Sequence, residues 1–379
     1  MITTVSITMK SFVLETAKHL HNECGYDVTL ICNNDEDFAK SLPEYIRYIP
    51  VKMARGISLS GIASTLRLRK IFKREKFDLI EYMTPNASFY CSIAGKLAGI
   101  KKRVYSQCGI RYVSLGGLGR KIFKFVEKLT CKFSTHIRAQ SPKNMEFAIE
   151  ERLCKREKIS VIGIGGTIGV SLQECRSFDR DLAREENRAR YGIPKDAFLY
   201  GYVGRINADK GINELIGAFD MLSAEKKDVY LALVGMLDES NPITETNLAI
   251  AKERENIILT GAVPKEEVYK HMAMFDVLVH PTYREGFGKV LQEAMGMSIP
   301  IVTTDVPGPS EVIENNVSGI LCQVKNPQDL CEKMALMYDD SALRDSFVTQ
   351  GCIRAETYFD TPIMLNNIAV DMDKILNEE

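Results

Sequence analysis

The sequence has no run of about 18 uncharged apolar residues, so a membrane-spanning helix is not expected. Its opening stretch, MITTVSITMKSF, lacks a basic segment followed by a long apolar one and does not read as a signal peptide. The expectation is a cytosolic chain. The ten cysteines form no CxxC pair and the five histidines show no HExxH spacing. Free, mostly buried thiols are therefore expected, and no metal site. The Walker pattern GxxxxGK[ST] and the GxGxxG fingerprint are both absent, and no DxD-like acidic pair sits in a convincing loop.

What is present is enough chain for two domains with cores of their own: 379 residues, 45% hydrophobic and 26% charged. The net charge of −1 conceals a polarity. Residues 1–170 carry 28 Lys and Arg against 15 Asp and Glu, whereas residues 171–379 carry 21 against 35. Two halves of opposite sign suggest two domains facing different partners. The acidic half argues against a nucleic-acid groove across both.

Strand-like apolar runs alternate with helical periodicity along the whole chain. The first half reads as strands over 2–7, 28–32, 78–82, 103–107, 135–141 and 158–163. Helices are expected over 12–23, 66–76, 87–98 and 119–133. A charged stretch without apolar periodicity, 171–197, is read as the interdomain connection. A second set follows, with strands over 198–204, 229–235, 257–261, 276–281 and 299–305. Helices are expected over 211–223, 244–254, 289–297 and 363–376. Such alternation implies parallel sheets with right-handed crossovers. The reading is two doubly wound domains facing each other across a cleft, the natural ligand site. The N-terminal domain spans 1–174 with a returning C-terminal helix, 362–379, and the C-terminal domain spans 175–361.

Two strand–loop–helix constellations carry chemistry. PTYREGFGKVLQEAMG (281–296) places Glu285-Gly-Phe-Gly at the carboxyl edge of a strand. Gly286 and Gly288 allow close backbone approach, and the helix start around Lys289, Val290 and Leu291 can hold an anion such as a diphosphate. Glu285 and Glu293 can bracket one extended ligand. YVGRINADKGINELIGAF (202–219) places Arg205 and Lys210 around a loop after the domain's first strand, where both can serve phosphate oxygens.

Together, GR…KG and E-G-F-G-x-x-x-x-E resemble the retaining glycosyltransferases of family 4, whose fold is the two-domain GT-B architecture. The stretch 280–321 is similar to that family along its length, and 129–170 resembles the N-domain exit of capsule and O-antigen enzymes. The resemblance implies that Arg205 and Lys210 hold the donor diphosphate, that Glu293 accepts from ribose hydroxyls and that Glu285 binds the donor sugar. The backbone of Gly286, Phe287 and Gly288 would line the pocket, with groups from Gly261 to Val263 reading the base. No metal or other cofactor is implied. The sequence departs from the pattern at ITMKSF, where relatives have a Gly-rich loop, and at GGTIGV (165–170), so no donor contact is assigned there. Cys108 stands where relatives have a histidine. Gln107, Cys108 and Arg111 are the acceptor-side candidates. Asp305, Glu311, His271 and His280 read as structural.

The implied function is transfer of a hexose or N-acetylhexosamine from a nucleotide diphosphate sugar, with UDP the expected nucleotide. The acceptor would be a lipid-linked glycan, polyprenyl-diphosphate-linked in the first instance. A sugar-nucleotide epimerase of the same fold and a non-enzymatic nucleotide-binding module are the alternatives. The cations over 67–76 and 120–132 alternate with apolar residues, and point to peripheral attachment to an anionic membrane surface on the cytoplasmic face.

Overall fold

Twelve strands, all in parallel sheets, alternate with helices in the computed structural model, which describes residues 1–53, 59–114 and 116–378. The chain divides into two units. One comprises Met1–Ile168 with Pro362–Glu379, the other Gly169–Thr361. Each is Rossmann-like, and the connection falls at 168/169 rather than 174/175.

In the N-terminal unit β1 (Thr29–Cys32) pairs with β2 (Arg47–Pro50). β3 (Leu79–Tyr82), β4 (Lys102–Gln107), β5 (His136–Ala139) and β6 (Ile159–Val161) follow in spatial order. Ile2 joins the two groups, bridging Ile31 on one side and Tyr82 on the other. The expected strand over 2–7 is thus reduced to that one bridging residue. Ser6–Phe12 is helical instead, because Met9 and Val13, four residues apart, are both fully buried and share one helix face. The sequence reading also passed over β2, a short edge strand whose residues are half-buried or exposed.

The returning helix, Thr361–Asn377, packs Ala369 and Met372 onto Met9, Leu30 and Phe38. A buried ion network ties it to the sheet. Arg138, 5% exposed, donates to Glu81 at 3.0 Å and to Asp371 of that helix at 2.6 Å.

The C-terminal unit contains β7 (Phe198–Val203), β8 (Val229–Val234), β9 (Ile257–Gly261), β10 (Val277–His280), β11 (Ile301–Thr304) and β12 (Ile320–Cys322). Their spatial order is β12-β11-β10-β7-β8-β9. Strands such as VLVH and IVTT are buried along their whole length, as expected for a parallel sheet covered on both faces. The order reverses between β7 and β10, and the carboxyl ends of strands at such a switch point are where open α/β sheets bind ligands.

The stretch read as a connection, 171–197, is largely helical: Leu172–Cys175 and Arg180–Arg190. Asp179 caps the second helix by accepting from Leu182 N. Arg188 hid its packing role because it is a cation. It is 3% exposed and donates to the carbonyls of Met274, Lys195 and Ala197 and to Asp276.

Candidate active site at the carboxyl edge of the C-terminal sheet

Both constellations leave the strands flanking the switch point: Arg205 to Lys210 after β7, Thr282 to Gly288 after β10. Two glycines let the loops touch. Gly211 has φ +71°, and a Cβ there would fall 1.9 Å from the Pro281 carbonyl oxygen. Gly308, after β11, would meet the Gly286 carbonyl at 2.8 Å. Any side chain would push the loops apart. Backbone and ionic links complete the join: Tyr283 N donates to Asp209 O at 2.9 Å, and Arg284 pairs with Asp209 at 2.8 Å.

At the centre Lys210 Nζ forms an ion pair with Glu285 Oε2. Glu285 Oε1 accepts from Gly286 N at 3.3 Å. Burial pushes the Glu285 carboxyl up, but the neighbouring His280 and Lys210 outweigh it and hold the group well below the usual carboxylate range. His280 itself is 2% exposed and lies flat against Tyr202, with ring centroids 5.6 Å apart and planes 7° from parallel.

Arg205 is two-thirds exposed and pairs with Asp238 at 2.7 Å. Asn207 donates to the same carboxylate oxygen at 3.0 Å. Hydrogen bonds from Ser240, Asn207 and the Ser240 amide, with the Arg205 charge, bring Asp238 down to about 2. Asp238 and Asn207 were not singled out from the sequence. The signal was the position of MLDES at the carboxyl end of β8, the strand next to β7.

Gly288, at φ +95°, caps the helix Lys289–Gly296. Leu291 N donates back to Gly288 O at 3.1 Å, so its amide is turned into the helix end. Phe287 inserts its ring into the core against Phe359 and leaves only its backbone at the loop surface. Glu293 is largely buried. Burial raises its pKa while Lys289, 3.5 Å away, works in the opposite sense. Gly261, at φ +72°, ends β9 beside Gly235, and Val263 follows half-buried. The structure thus joins Arg205, Lys210, Glu285 and the 286–288 backbone along one edge, with Gly261 at its outer end.

Of the histidines read as structural, His271 fits. Its ring nitrogens meet Glu267 O at 2.8 Å and Tyr191 Oη at 3.0 Å. Glu311 also fits, accepting from Gly308 N at 3.0 Å at the start of the helix Pro309–Val312.

The acceptor-side candidates separate. Gln107 is 2% exposed and donates to Glu127 at 2.7 Å, inside the N-terminal unit. Cys108 lines a cavity of about 50 Å³ at the carboxyl edge of that unit's sheet, with Glu81, Ser106, Arg138 and Gln140. Cys108 is exposed at the rim of that cavity, and desolvation by the surrounding chain, with the Glu81 charge, pushes its thiol up to about 12. The side chain of Arg111 lies outside the described residues. Among the described residues no group of His, Cys, Asp and Glu is arranged to hold a metal ion.

Comparison with known proteins follows the same division. A family model described as glycosyl transferase 4-like matches residues 2–141, and one described as glycosyl transferases group 1 matches residues 183–352. The capsular polysaccharide biosynthesis glycosyltransferase CapM of Staphylococcus aureus is 28% identical over 354 residues, 93% of this chain and 91% of that protein. An Escherichia coli UDP-Gal:alpha-D-GlcNAc-diphosphoundecaprenol alpha-1,3-galactosyltransferase is 22% identical, covering 89% and 86%. Among solved structures, HepE of Anabaena in complex with UDP-glucose superposes with a TM-score of 0.80 at 19% identity, covering 98% of each chain. WaaG, a glycosyltransferase involved in lipopolysaccharide biosynthesis, gives 0.70 at 19% identity over 96% and 94%.

Proposed function

We propose that this chain, which belongs to the GT-B glycosyltransferases through its glycosyl transferase 4-like and group 1 halves, moves a hexose or N-acetylhexosamine from a UDP-sugar to a lipid-linked glycan during bacterial surface polysaccharide synthesis. The supporting observation is the pairing of Lys210 with Glu285 at the switch point of the C-terminal sheet, beside a glycine-opened helix start, with Arg205 on the same loop as Lys210 and paired to Asp238. Similarity to CapM supports the capsular polysaccharide setting, and similarity to the galactosyltransferase supports a UDP-sugar donor and a polyprenyl-diphosphate-linked acceptor.

In this reading the bond between the sugar's anomeric carbon and the β-phosphate oxygen breaks, and its electron pair leaves with UDP. The acceptor hydroxyl attacks from the same face, and its proton passes to a departing phosphate oxygen. The products are a glycoside of unchanged anomeric configuration and UDP. Negative charge accumulates on the diphosphate, where Lys210, Arg205 and the helix start lower its energy without a metal. Glu285 accepts from hydroxyls of the donor sugar and Glu293 from the ribose. The cavity at Cys108 belongs to the acceptor side.

The membrane part of the proposal rests on the helix Gly117–Phe133. It buries Glu127, Thr130 and Cys131 and turns Leu118 (73% exposed), Ile122 and Phe125 (63%) to solvent. These are spaced i, i+4, i+7 and flanked by exposed Lys121, Lys128 and Lys132. An outward apolar stripe with cations beside it suits the interface of an anionic bilayer. No described helix is long and apolar enough to cross a membrane.

UDP release from a panel of UDP-hexoses, with and without a polyprenyl-diphosphate-linked sugar, tests the reading. Release that depends on acceptor supports it. Free monosaccharide or epimer without acceptor would mark an epimerase, and binding without release a nucleotide-binding module. Flotation with anionic liposomes tests the membrane part: binding that fades as salt rises is expected, and no binding at low salt contradicts it.

A further inference from the structure

A buried imidazole with no hydrogen-bond partner stands at the centre of the site. His280 closes β10, is 2% exposed, and neither Nδ1 nor Nε2 has a partner within hydrogen-bond distance. The same chain satisfies both nitrogens of buried His271. Leaving such a group unpaired is costly to the fold, and unpaired groups of this kind call for a use. The ring is held by Tyr202, stacked flat on it, and Tyr202 is itself anchored by donating to Arg205 O at 2.8 Å. Held this way, Nε2 lies 3.6 Å from Glu285 Oε2, just beyond a hydrogen bond. That oxygen is the one engaged by Lys210.

Resting on the reading in which Lys210 serves the diphosphate and Glu285 the sugar, we propose that His280 is a positioning residue for Glu285: its Nε2–H takes over Glu285 Oε2 when Lys210 turns to the diphosphate. The carboxylate would otherwise lose its partner at the moment it must hold a sugar hydroxyl. Oε1, held only by the 3.3 Å contact to Gly286 N, would swing with it. Burial, with the Lys210 charge, lowers the pKa of the ring against the pull of Glu285. A neutral ring has one N–H, and the carboxylate selects the tautomer that puts it on Nε2. Lys210, Glu285 and His280 then form a relay in which one cation is shared between two anions in turn.

Two variants separate this from a packing role. His280→Phe keeps a flat ring against Tyr202 and removes the donor. His280→Gln returns an N–H to about the Nε2 position. Calorimetric titration with UDP, GDP, UDP-glucose, UDP-galactose, UDP-N-acetylglucosamine and GDP-mannose identifies the tightest sugar nucleotide and its parent diphosphate. For His280→Phe the ratio of their dissociation constants should shift about tenfold against the sugar nucleotide, the worth of one charge-assisted hydrogen bond. Affinity for the bare diphosphate should hold, and so should the melting temperature, or rise. His280→Gln should recover most of the ratio. An unchanged ratio in His280→Phe, or equal losses for both ligands, would overturn the inference while leaving the donor site intact. A wild type that binds none of the six would overturn the donor reading and this inference with it.

Discussion

Glu293 and Glu285 are both acidic, both near one helix start, and their surroundings drive them in opposite directions. Burial raises Glu293, with Lys289 too distant to compensate. A carboxyl whose folded pKa exceeds its unfolded value of about 4.5 costs stability as pH rises through the interval between the two. Glu293→Gln should therefore raise the melting temperature at pH 7 and flatten its decline between acid and neutral pH. It should also weaken donor binding about tenfold, because the ribose loses a charged acceptor. Thermal melts across pH, with titration of the donor, check both signs. A variant that is less stable at pH 7 would refute the assignment. Glu285 works in the reverse sense. Its folded pKa is depressed by His280 and Lys210, so its contribution is present above the unfolded value and fades on acidification. Lys210→Ala should cost about 2–4 kcal/mol in transition-state stabilisation, the range for loss of one preorganised donor. Steady-state kcat/KM for the donor gives that number, and a near-normal value would place the diphosphate elsewhere.

At the scale of elements, the sequence was most legible where strand, loop and helix follow one another with a single signal each. β7, β10 and the helix Lys289–Gly296 are apolar runs bounded by Gly or Pro, and the residues expected at their ends are the ones the sheet brings together. Legibility failed where side-chain chemistry and position disagree. MITTVSI has the β-branched content of a strand, yet only Ile2 bridges the sheet and the chain turns helical from Ser6, where Met9 is buried. Arg188 reads as solvated and is core. His280 reads as structural, and only its missing partners mark it out. Asp238 is one of two adjacent acids in a loop until the sheet order sets it beside Arg205. In the helix Gly117–Phe133 apolar spacing alone does not say which face is covered, and the structure turns Leu118, Ile122 and Phe125 outward. Replacing Leu118 and Phe125 with Ser should change stability by no more than about 0.5 kcal/mol per site, as for other exposed positions. Liposome flotation should drop sharply. Loss of folding would show instead that these side chains are packed.

Over the whole molecule, the chain leaves the N-terminal unit at Ile168 and returns to it at Pro362. The returning helix is fastened by Arg138 between Glu81 and Asp371 and by His136, 2.7 Å from Glu378. Arg138→Met would remove the cation that hydrogen-bonds buried Glu81. It should destabilise the N-terminal unit by about 3–5 kcal/mol, the cost of breaking a buried pair by removing one partner. Urea unfolding should then show an early transition with nucleotide binding retained; a single unshifted transition would mean the network carries no stability. The two halves carry opposite charge, and the proposed function puts donor chemistry on the acidic unit and anionic partners on the basic one. The central claim is transfer with the leaving phosphate as base, on the face from which UDP departs. Proton NMR of the product from an α-linked UDP-hexose, read at the anomeric coupling constant, tests it most directly. The account predicts an α-linked product formed in step with one UDP per transfer. A β-linked product would contradict it.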